Sequence, residues 1–259
     1  MPATSPLSPP SANPEFDPPR IDILGVPVHA VSMAGTLALI GRYMTEPRLH
    51  QIATVNPEFV MAAQKDAEFM RVLQEADLCL PDGIGLLYAA RWLGQTLPER
   101  VPGSELVYQL AERAADRGWP LFLLGAATGV ADEASAVFTE RYPGLVIAGT
   151  YAGSPDPAEN ETIVRRINES EAQLLYVAYG APKQDQWIAR NRAALPGVRV
   201  AIGVGGSLDF VTGRAARAPY WAQELGLEWL HRLYKEPWRW RRMLALPRFA
   251  WRVMIGGGR

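Results

Sequence analysis

Short apolar runs alternate with longer amphipathic segments along most of the chain, and this alternation limits the fold more than any other feature. In the second half the runs are PLFLLG, LVIAGTY, AQLLYVAYG and VRVAIGVGG, and the first three each precede a segment with helical spacing of apolar residues. Runs without polar alternation are typical of strands buried on both faces, which occur in parallel sheets covered by helices. The sequence therefore predicts an α/β fold with a predominantly parallel, Rossmann-like sheet sandwiched by helices.

The first half continues the pattern and carries clear helix signals. Ser32 is placed to cap one helix, Pro57 stands at a favoured first helical position, and Gly118 can end a third helix. The segment that follows Pro57 is predicted as one or two helices, and RIDILGVPV as a strand or hairpin. In such sheets ligands bind outside the carboxyl ends of the strands, so the loops at those ends should form the site.

The chain divides by composition into three parts. Residues 1–20 are rich in proline and are predicted to be a flexible leader, residues 21–213 form the α/β domain, and residues 214–259 form a basic helical appendage. The start lacks the pattern of a secretion signal, and no apolar run is long enough to span a membrane, which favours the cytoplasm. The single cysteine, Cys79, lies in an apolar run and is predicted to be a buried thiol.

The appendage differs sharply in charge from the rest of the chain. Residues 214–259 hold ten basic and three acidic residues, a net charge of +7, whereas the preceding residues carry −8; five of the eight tryptophans also lie in this segment. Arginine mixed with tryptophan is typical of a helix at an anionic membrane surface. A helical pair packed on the core with a solvated basic face is the alternative. Nucleic-acid binding is not expected, because no recognition motif is present.

Several strand ends carry side chains suited to chemistry. Asp82 follows an apolar strand and could act as a general base, or could cap the next helix. Thr54 and Asn56 stand at another strand end near a helix start, where Asn56 could simply cap that helix. Arg100 is a fixed cation that could neutralise a leaving phosphate, or pair with Glu105 on the surface.

The second half offers further candidates for substrate contacts. Gln184 could bind a sugar or nucleobase, Asp209 could accept from ribose hydroxyls, and Gly205 and Gly206 allow a ligand to approach the backbone. Tyr151 lies at a predicted strand end on the same edge. Caps and close helix packing explain these residues almost as well, and neither a Walker lysine motif nor GxGxxG is complete. The histidines are scattered and no metal-ligand spacing occurs, so no metal site is predicted.

The order of the motifs is more specific than any one of them. The segments TVNPEFV, ADLCLPDGIG, RVPGSEL, YGAPKQDQWI, GVGGSLDFVTGRAARAP and LEWLHRLYKEPWRWRR follow one another between residues 54 and 242. In this order the chain resembles the WecG/TagA/CpsF family of bacterial glycosyltransferases. Glu105 departs from the pattern, because the family usually has Asp there.

The resemblance implies an inverting, metal-independent transfer from a UDP-sugar, commonly UDP-N-acetylmannosamine, to a sugar on undecaprenyl diphosphate. It implies that Asp82 is the catalytic base, that Thr54 and Asn56 line the active site, that Arg100 faces the diphosphate and that Gln184 lines the pocket. No resident cofactor is implied. An enzyme with this acceptor would attach peripherally to the inner face of the cell membrane and build a surface polysaccharide or wall polymer.

The appendage has a matching role in this interpretation. Arg217 or Arg232 would contact the diphosphate of the lipid-linked acceptor while the appendage covers the active site, either of its own chain or of a neighbour in a homo-oligomer. Two other functions stay open from the residues alone. One is a nucleotide-cofactor oxidoreductase on a Rossmann-like sheet, and the other is a non-catalytic protein that binds the membrane surface.

Overall fold

The computed structural model describes residues 17–216 and 240–256, together with residues 219, 230 and 233; of residues 241 and 242 it describes the backbone alone. Eight strands lie within these residues: β1 Arg20–Ile23, β2 Val26–His29, β3 His50–Val55, β4 Leu78–Pro81, β5 Leu121–Gly125, β6 Ile147–Tyr151, β7 Leu174–Ala178 and β8 Val200–Gly203.

Six of the strands form one parallel sheet in the order β4-β3-β8-β7-β5-β6. All residues of β3, β4, β5, β7 and β8 are buried, as expected for strands covered on both faces. The edge strand β6 is only half-buried. The predicted α/β fold with a parallel, Rossmann-like sheet is confirmed.

The helices within the described residues cover the sheet on both faces. They are α1 Met33–Tyr43, α2 Pro57–Ala63, α3 Ala67–Glu75, α4 Ile84–Trp92, α5 Gly103–Arg117, α6 Val130–Arg141, α7 Pro157–Glu169, α8 Lys183–Asn191, α9 Ser207–Val211, α10 Trp240–Met243 and α11 Ala245–Gly256. On one face α1, α5, α6 and α9 share an apolar core with the sheet. On the other, α2, α3, α4 and α11 form a second core, and α7 and α8 a third.

The residues predicted to start or end helices are found at helix ends. The Ser32 hydroxyl accepts a hydrogen bond from Gly35 N at 3.0 Å at the start of α1. Pro57 is the first residue of α2, and Gly118 ends α5 with a left-handed φ of 65°. The segment after Pro57 forms two helices, because the Asp66 carboxylate accepts from Phe69 N at 2.9 Å and so caps a new helix, α3.

Strands β1 and β2 form a separate antiparallel hairpin rather than joining the parallel sheet. The His29 side chain joins this hairpin to β4, since its Nδ1 accepts a hydrogen bond from Cys79 N at 2.9 Å. Burial lowers the pKa of His29 to about 4, so that the ring is neutral and can accept this bond at neutral pH. The Cys79 thiol is buried, as predicted, and burial raises its pKa.

The described part of the appendage ends in α11, which packs on α2 and α4 through Phe249 and Val253. Arg252 of α11 also donates to the Gln64 side chain, at 3.3 Å. Arg217 and Arg232 lie outside the described residues, as do residues 1–16 of the predicted leader. Among the described helices, none has the length and apolar character needed to cross a bilayer.

Candidate active site

The chain leaves β3 and β8 toward opposite faces of the sheet, and we refer to the gap between these two strand ends as the crevice. The two strands are neighbours, but α2 follows β3 on one face of the sheet while α9 follows β8 on the other. Diverging loops at the carboxyl ends of adjacent parallel strands are the usual place for a ligand in an open α/β sheet. The residues predicted from the sequence can be placed relative to this crevice.

Asp82 lies next to the crevice, at the carboxyl end of β4. Its backbone N–H donates to Val55 O at 2.8 Å, which fixes the residue directly beside the end of β3. Its side chain is half-buried. Gly83 allows the start of α4 to pack closely on α2, because a Cβ at that position would lie 2.9 Å from the Pro57 ring. The close packing of α4 on α2 thus holds the Asp82 loop at the mouth of the sheet.

The Arg100 loop is tied to the same strand end. Val101 N donates to Pro81 O at 2.8 Å, so the half-buried Arg100 is held close to the residue that precedes Asp82. The neighbouring Glu105 is exposed and accepts a hydrogen bond from the Gln109 amide at 3.0 Å. The structure therefore brings a carboxylate and a fixed cation to one end of the sheet.

Thr54 and Asn56 also lie at this end of the sheet, and the side chain of each makes a hydrogen bond that stabilises the fold. The buried Thr54 hydroxyl donates to Gly203 O at 3.2 Å and so joins β3 to the end of β8. The Asn56 side chain accepts from Phe59 N at 3.0 Å, which caps α2 as the structural alternative predicted. Asn56 is half-buried at the crevice, whereas Thr54 is 6% exposed.

Gln184 holds two loops together beneath the crevice. Its amide oxygen accepts from Gly180 N at 3.0 Å and from Gly205 N at 2.9 Å, and the side chain is buried. These bonds engage the amide oxygen, and the expectation that Gln184 binds a sugar or nucleobase stays a prediction. In this structure Gln184 shapes the site by positioning the backbone that follows β7 and β8.

The β8 loop contributes the other rim of the crevice. Gly205 has a left-handed φ of 51°, which a residue with a side chain rarely adopts. The half-buried Asp209 folds back over this loop, since a Cβ at Gly206 would lie 3.5 Å from its Oδ2. The expectation that Asp209 accepts from ribose hydroxyls stays a prediction.

Tyr151 is not brought into this cluster. It ends β6, three strands beyond β8, which corresponds to about 14 Å across the sheet. Its hydroxyl lies 3.4 Å from a Glu159 carboxylate oxygen, and the Arg166 guanidinium lies 4.6 Å from its ring centroid. The order of strands, which the local sequence does not reveal, separates Tyr151 from Asp82.

One buried acid at the site was not singled out from the sequence. Asp185 follows Gln184 in the first turn of α8 and is fully buried, and neither carboxyl oxygen has a hydrogen-bond partner within the described part of the chain. Burial raises the pKa of Asp185 to about 7. The sequence showed only a polar first-turn residue, which is usually an exposed cap.

The described histidines lie away from the crevice. His29 belongs to the hairpin, and His50 begins β3 at the opposite end of the sheet, stacked on Tyr43 with 4.0 Å between ring centroids. Over residues 17–216 and 240–256, no three side chains of His, Cys, Asp or Glu form a cluster suited to a metal ion.

An acid and a cation at the mouth of a parallel sheet suit a transferase that acts on a phosphorylated substrate, and comparison with known proteins agrees. The model of the "Glycosyl transferase WecG/TagA/CpsF family" matches residues 21–257. The chain therefore belongs to this family and is a glycosyltransferase, which confirms the resemblance seen in the motifs. The oxidoreductase and non-catalytic alternatives are set aside.

Relatives with a named activity cover most of the chain. A Bacillus subtilis (strain 168) protein is 36% identical over 204 residues, 78% of each chain. A Bacillus spizizenii protein is 34% identical over 82% of this chain and 81% of its own, and one from Staphylococcus aureus (strain MRSA252) is 31% identical over 90% and 92%. All three are named N-acetylglucosaminyldiphosphoundecaprenol N-acetyl-beta-D-mannosaminyltransferase.

Proposed function

We propose that this protein transfers N-acetylmannosamine, or a closely related hexose, from a UDP-sugar to N-acetylglucosamine on undecaprenyl diphosphate, with inversion and without a metal ion. The relatives' shared name supports this acceptor and sugar. The observation that carries the proposal is the meeting of Asp82, Asn56 and the Arg100 loop at the ends of β3 and β4.

In the proposed reaction Asp82 acts as the general base. The acceptor hydroxyl attacks the anomeric carbon on the face opposite UDP, and its proton passes to the Asp82 carboxylate. The new bond joins the acceptor oxygen to the anomeric carbon as the bond from that carbon to the phosphate oxygen breaks. The electron pair of the broken bond leaves with UDP, and the configuration at the anomeric carbon inverts because attack and departure take place on opposite faces.

Arg100 supplies positive charge for the leaving group. A guanidinium can donate two parallel hydrogen bonds to phosphate oxygens, and it stays charged at every physiological pH. Fixed donors aimed at developing charge stabilise a transition state without having to reorganise. Gln184 and Thr54 act indirectly in this scheme, by holding the loops after β3, β7 and β8 in position.

The location follows from the acceptor. An enzyme that acts on an undecaprenyl-linked sugar must reach the membrane interface, and we place it as a peripheral protein on the inner face of the cell membrane, where its product enters surface polysaccharide or wall polymer synthesis. The basic residues and tryptophans of the appendage suit contact with an anionic leaflet.

A panel of radiolabelled UDP-sugars tests the donor and the metal independence together. Each sugar is offered with polyprenyl-diphosphate-linked N-acetylglucosamine in the presence of EDTA, and label in the lipid fraction is counted. We expect strong transfer from UDP-N-acetylmannosamine and an anomeric configuration in the product opposite to that of the donor, read by NMR. Loss of transfer on adding EDTA, or a retained configuration, would contradict the proposal.

A further inference from the structure

An exposed apolar surface lies on two packed helices beside the catalytic loop. On α4, Tyr88 and Trp92 are 60% and 62% exposed. On α11, Trp251, Met254 and Ile255 are exposed as well. Large aromatic and aliphatic side chains grouped on one surface are uncommon in a monomeric soluble protein, and such patches mark sites of interaction.

The two helices pack against each other, and Trp251, Met254 and Ile255 lie on the side of α11 that is turned away from the buried Phe249. A Cβ at Gly85 of α4 would lie 3.9 Å from the Phe249 ring of α11, so the helices touch there. Tyr88 and Trp92 follow Gly85 by three and seven residues, which places them one and two turns further on the same side of α4. We define Tyr88, Trp92, Trp251, Met254 and Ile255 as the aromatic face.

The charged side chains on the two helices have one sign. Helix α4 and residues 240–256 contain no Asp or Glu, and Arg91, Arg248 and Arg252 are exposed. A second copy of the chain would fit poorly here, because a two-fold interface brings a surface onto itself and would set arginine against arginine. An anionic bilayer provides both the opposite charge and an interface that tryptophan and tyrosine prefer.

We infer that α4 of the α/β domain, together with α11, lies on the membrane, with Tyr88 and Trp92 inserted at the headgroup level. This assignment adds a surface of the catalytic domain itself to the appendage, and it rests on the proposed lipid-linked acceptor. Because α4 starts directly after the Asp82 loop and is about 13 Å long, the aromatic face holds the catalytic loop close to the interface.

Vesicle binding tests this surface directly. Cosedimentation of the full chain with vesicles of phosphatidylcholine and phosphatidylglycerol is compared for the wild type and a Tyr88→Gln, Trp92→Gln double variant. We expect the double variant to bind roughly ten-fold more weakly. The control is Val146→Gln, an exposed apolar residue just before β6 at the other edge of the sheet, which should bind like the wild type.

A single-residue variant tests the attraction between the basic residues and an anionic bilayer. Arg91→Gln should weaken binding to vesicles with phosphatidylglycerol and leave binding to pure phosphatidylcholine unchanged. Equal affinity of the wild type and the double variant would overturn the inference. So would a change in oligomeric state on sedimentation velocity without a change in vesicle affinity, since the face would then be a protein interface.

Activity assays separate this inference from the proposed function. With a short-chain acceptor in solution the double variant should keep wild-type turnover, whereas with undecaprenyl acceptor in vesicles its turnover should fall along with its binding. If the wild type transferred to neither acceptor, the proposed function would fail. The vesicle affinities would still test whether the aromatic face binds the membrane.

Discussion

The Asp185 carboxyl group lies between the start of α8 and the end of β8, buried beside Gly203; a Cβ at Gly203 would be 3.0 Å from its Oδ1. Its pKa, raised by burial from 3.8 to about 7, makes folding depend on pH. Between about pH 4 and pH 7 the folded chain keeps a proton that the unfolded chain releases. Stability contributed by this group is therefore full below that window and is lost as the pH rises through it.

Asp185→Asn should remove this dependence. We expect the free energy of unfolding of the wild type to fall, relative to that of the variant, by on the order of a few kcal/mol between pH 4 and pH 7. Urea unfolding at a series of pH values measures it. Asp116→Asn, on the exposed surface of α5, should keep the wild-type slope. Parallel curves for wild type and Asp185→Asn would show that the buried group does not titrate in this window.

Gln184 offers a second prediction for a single residue. Gln184→Met preserves much of the side-chain volume but removes the oxygen that accepts from Gly180 N and Gly205 N. We expect the free energy of unfolding to fall by about 2 kcal/mol, and by more for Gln184→Ala, which also leaves a cavity. Urea unfolding is the measurement, with exposed Gln173→Met as the control. Wild-type stability of Gln184→Met would rule out this role.

At the level of elements, α5 packs unusually close to β3. A Cβ at Gly103 would lie 2.9 Å from Thr54 Cγ2, so Gly103→Ala must push the start of α5 away from the sheet. We expect a loss of about 1–3 kcal/mol in the free energy of unfolding. Thr54→Ser removes the clashing methyl group and should recover part of that loss, which a double-mutant cycle in urea measures.

Gly41→Ala is the matched control for this cycle, because nothing lies within 4 Å of a Cβ at that position inside α1. It should leave stability unchanged or raise it slightly, since alanine favours helix more than glycine. Additive costs for Gly103→Ala and Thr54→Ser would mean that the two side chains do not meet, contrary to the close packing of α5 on β3.

The elements also show which parts of the fold can be predicted from sequence. Continuous apolar runs identified the parallel strands, and caps such as Ser32 located helix starts, because both signals are local. The order of strands depends on how distant segments pack, so the separation of Tyr151 from Asp82 could not be read from the pattern.

The candidate site was predictable to a similar extent. Asp82, Asn56 and Arg100 follow or adjoin strands that proved to be neighbours, so their strand-end positions brought them together. The buried places of Gln184 and Asp185 were missed, because the first turn of a helix is usually exposed and α8 instead lies against β3 and β8. Contacts between α8 and the sheet are tertiary and leave no local signal.

For the molecule as a whole, the net charge of the appendage and the place where α11 packs both favour a membrane on the same side of the protein. The basic appendage and the more acidic remainder differ by sign, +7 against −8, which should orient the protein with its appendage toward an anionic surface. Helix α11 packs on α2 and α4, the two helices that begin at the crevice. The surface expected to face the membrane is thus attached directly to the elements that hold Asn56 and Asp82.

Turnover of Asp82→Asn is the most direct test of the central claim, that the carboxylate at the end of β4 removes the acceptor proton. Transfer to the lipid-linked acceptor and binding of UDP are measured for the wild type, Asp82→Asn and the exposed control Asp116→Asn. We predict a loss of at least about 100-fold in kcat for Asp82→Asn with UDP affinity retained, and wild-type values for the control. Near wild-type turnover of Asp82→Asn would contradict the assignment of Asp82 as the base.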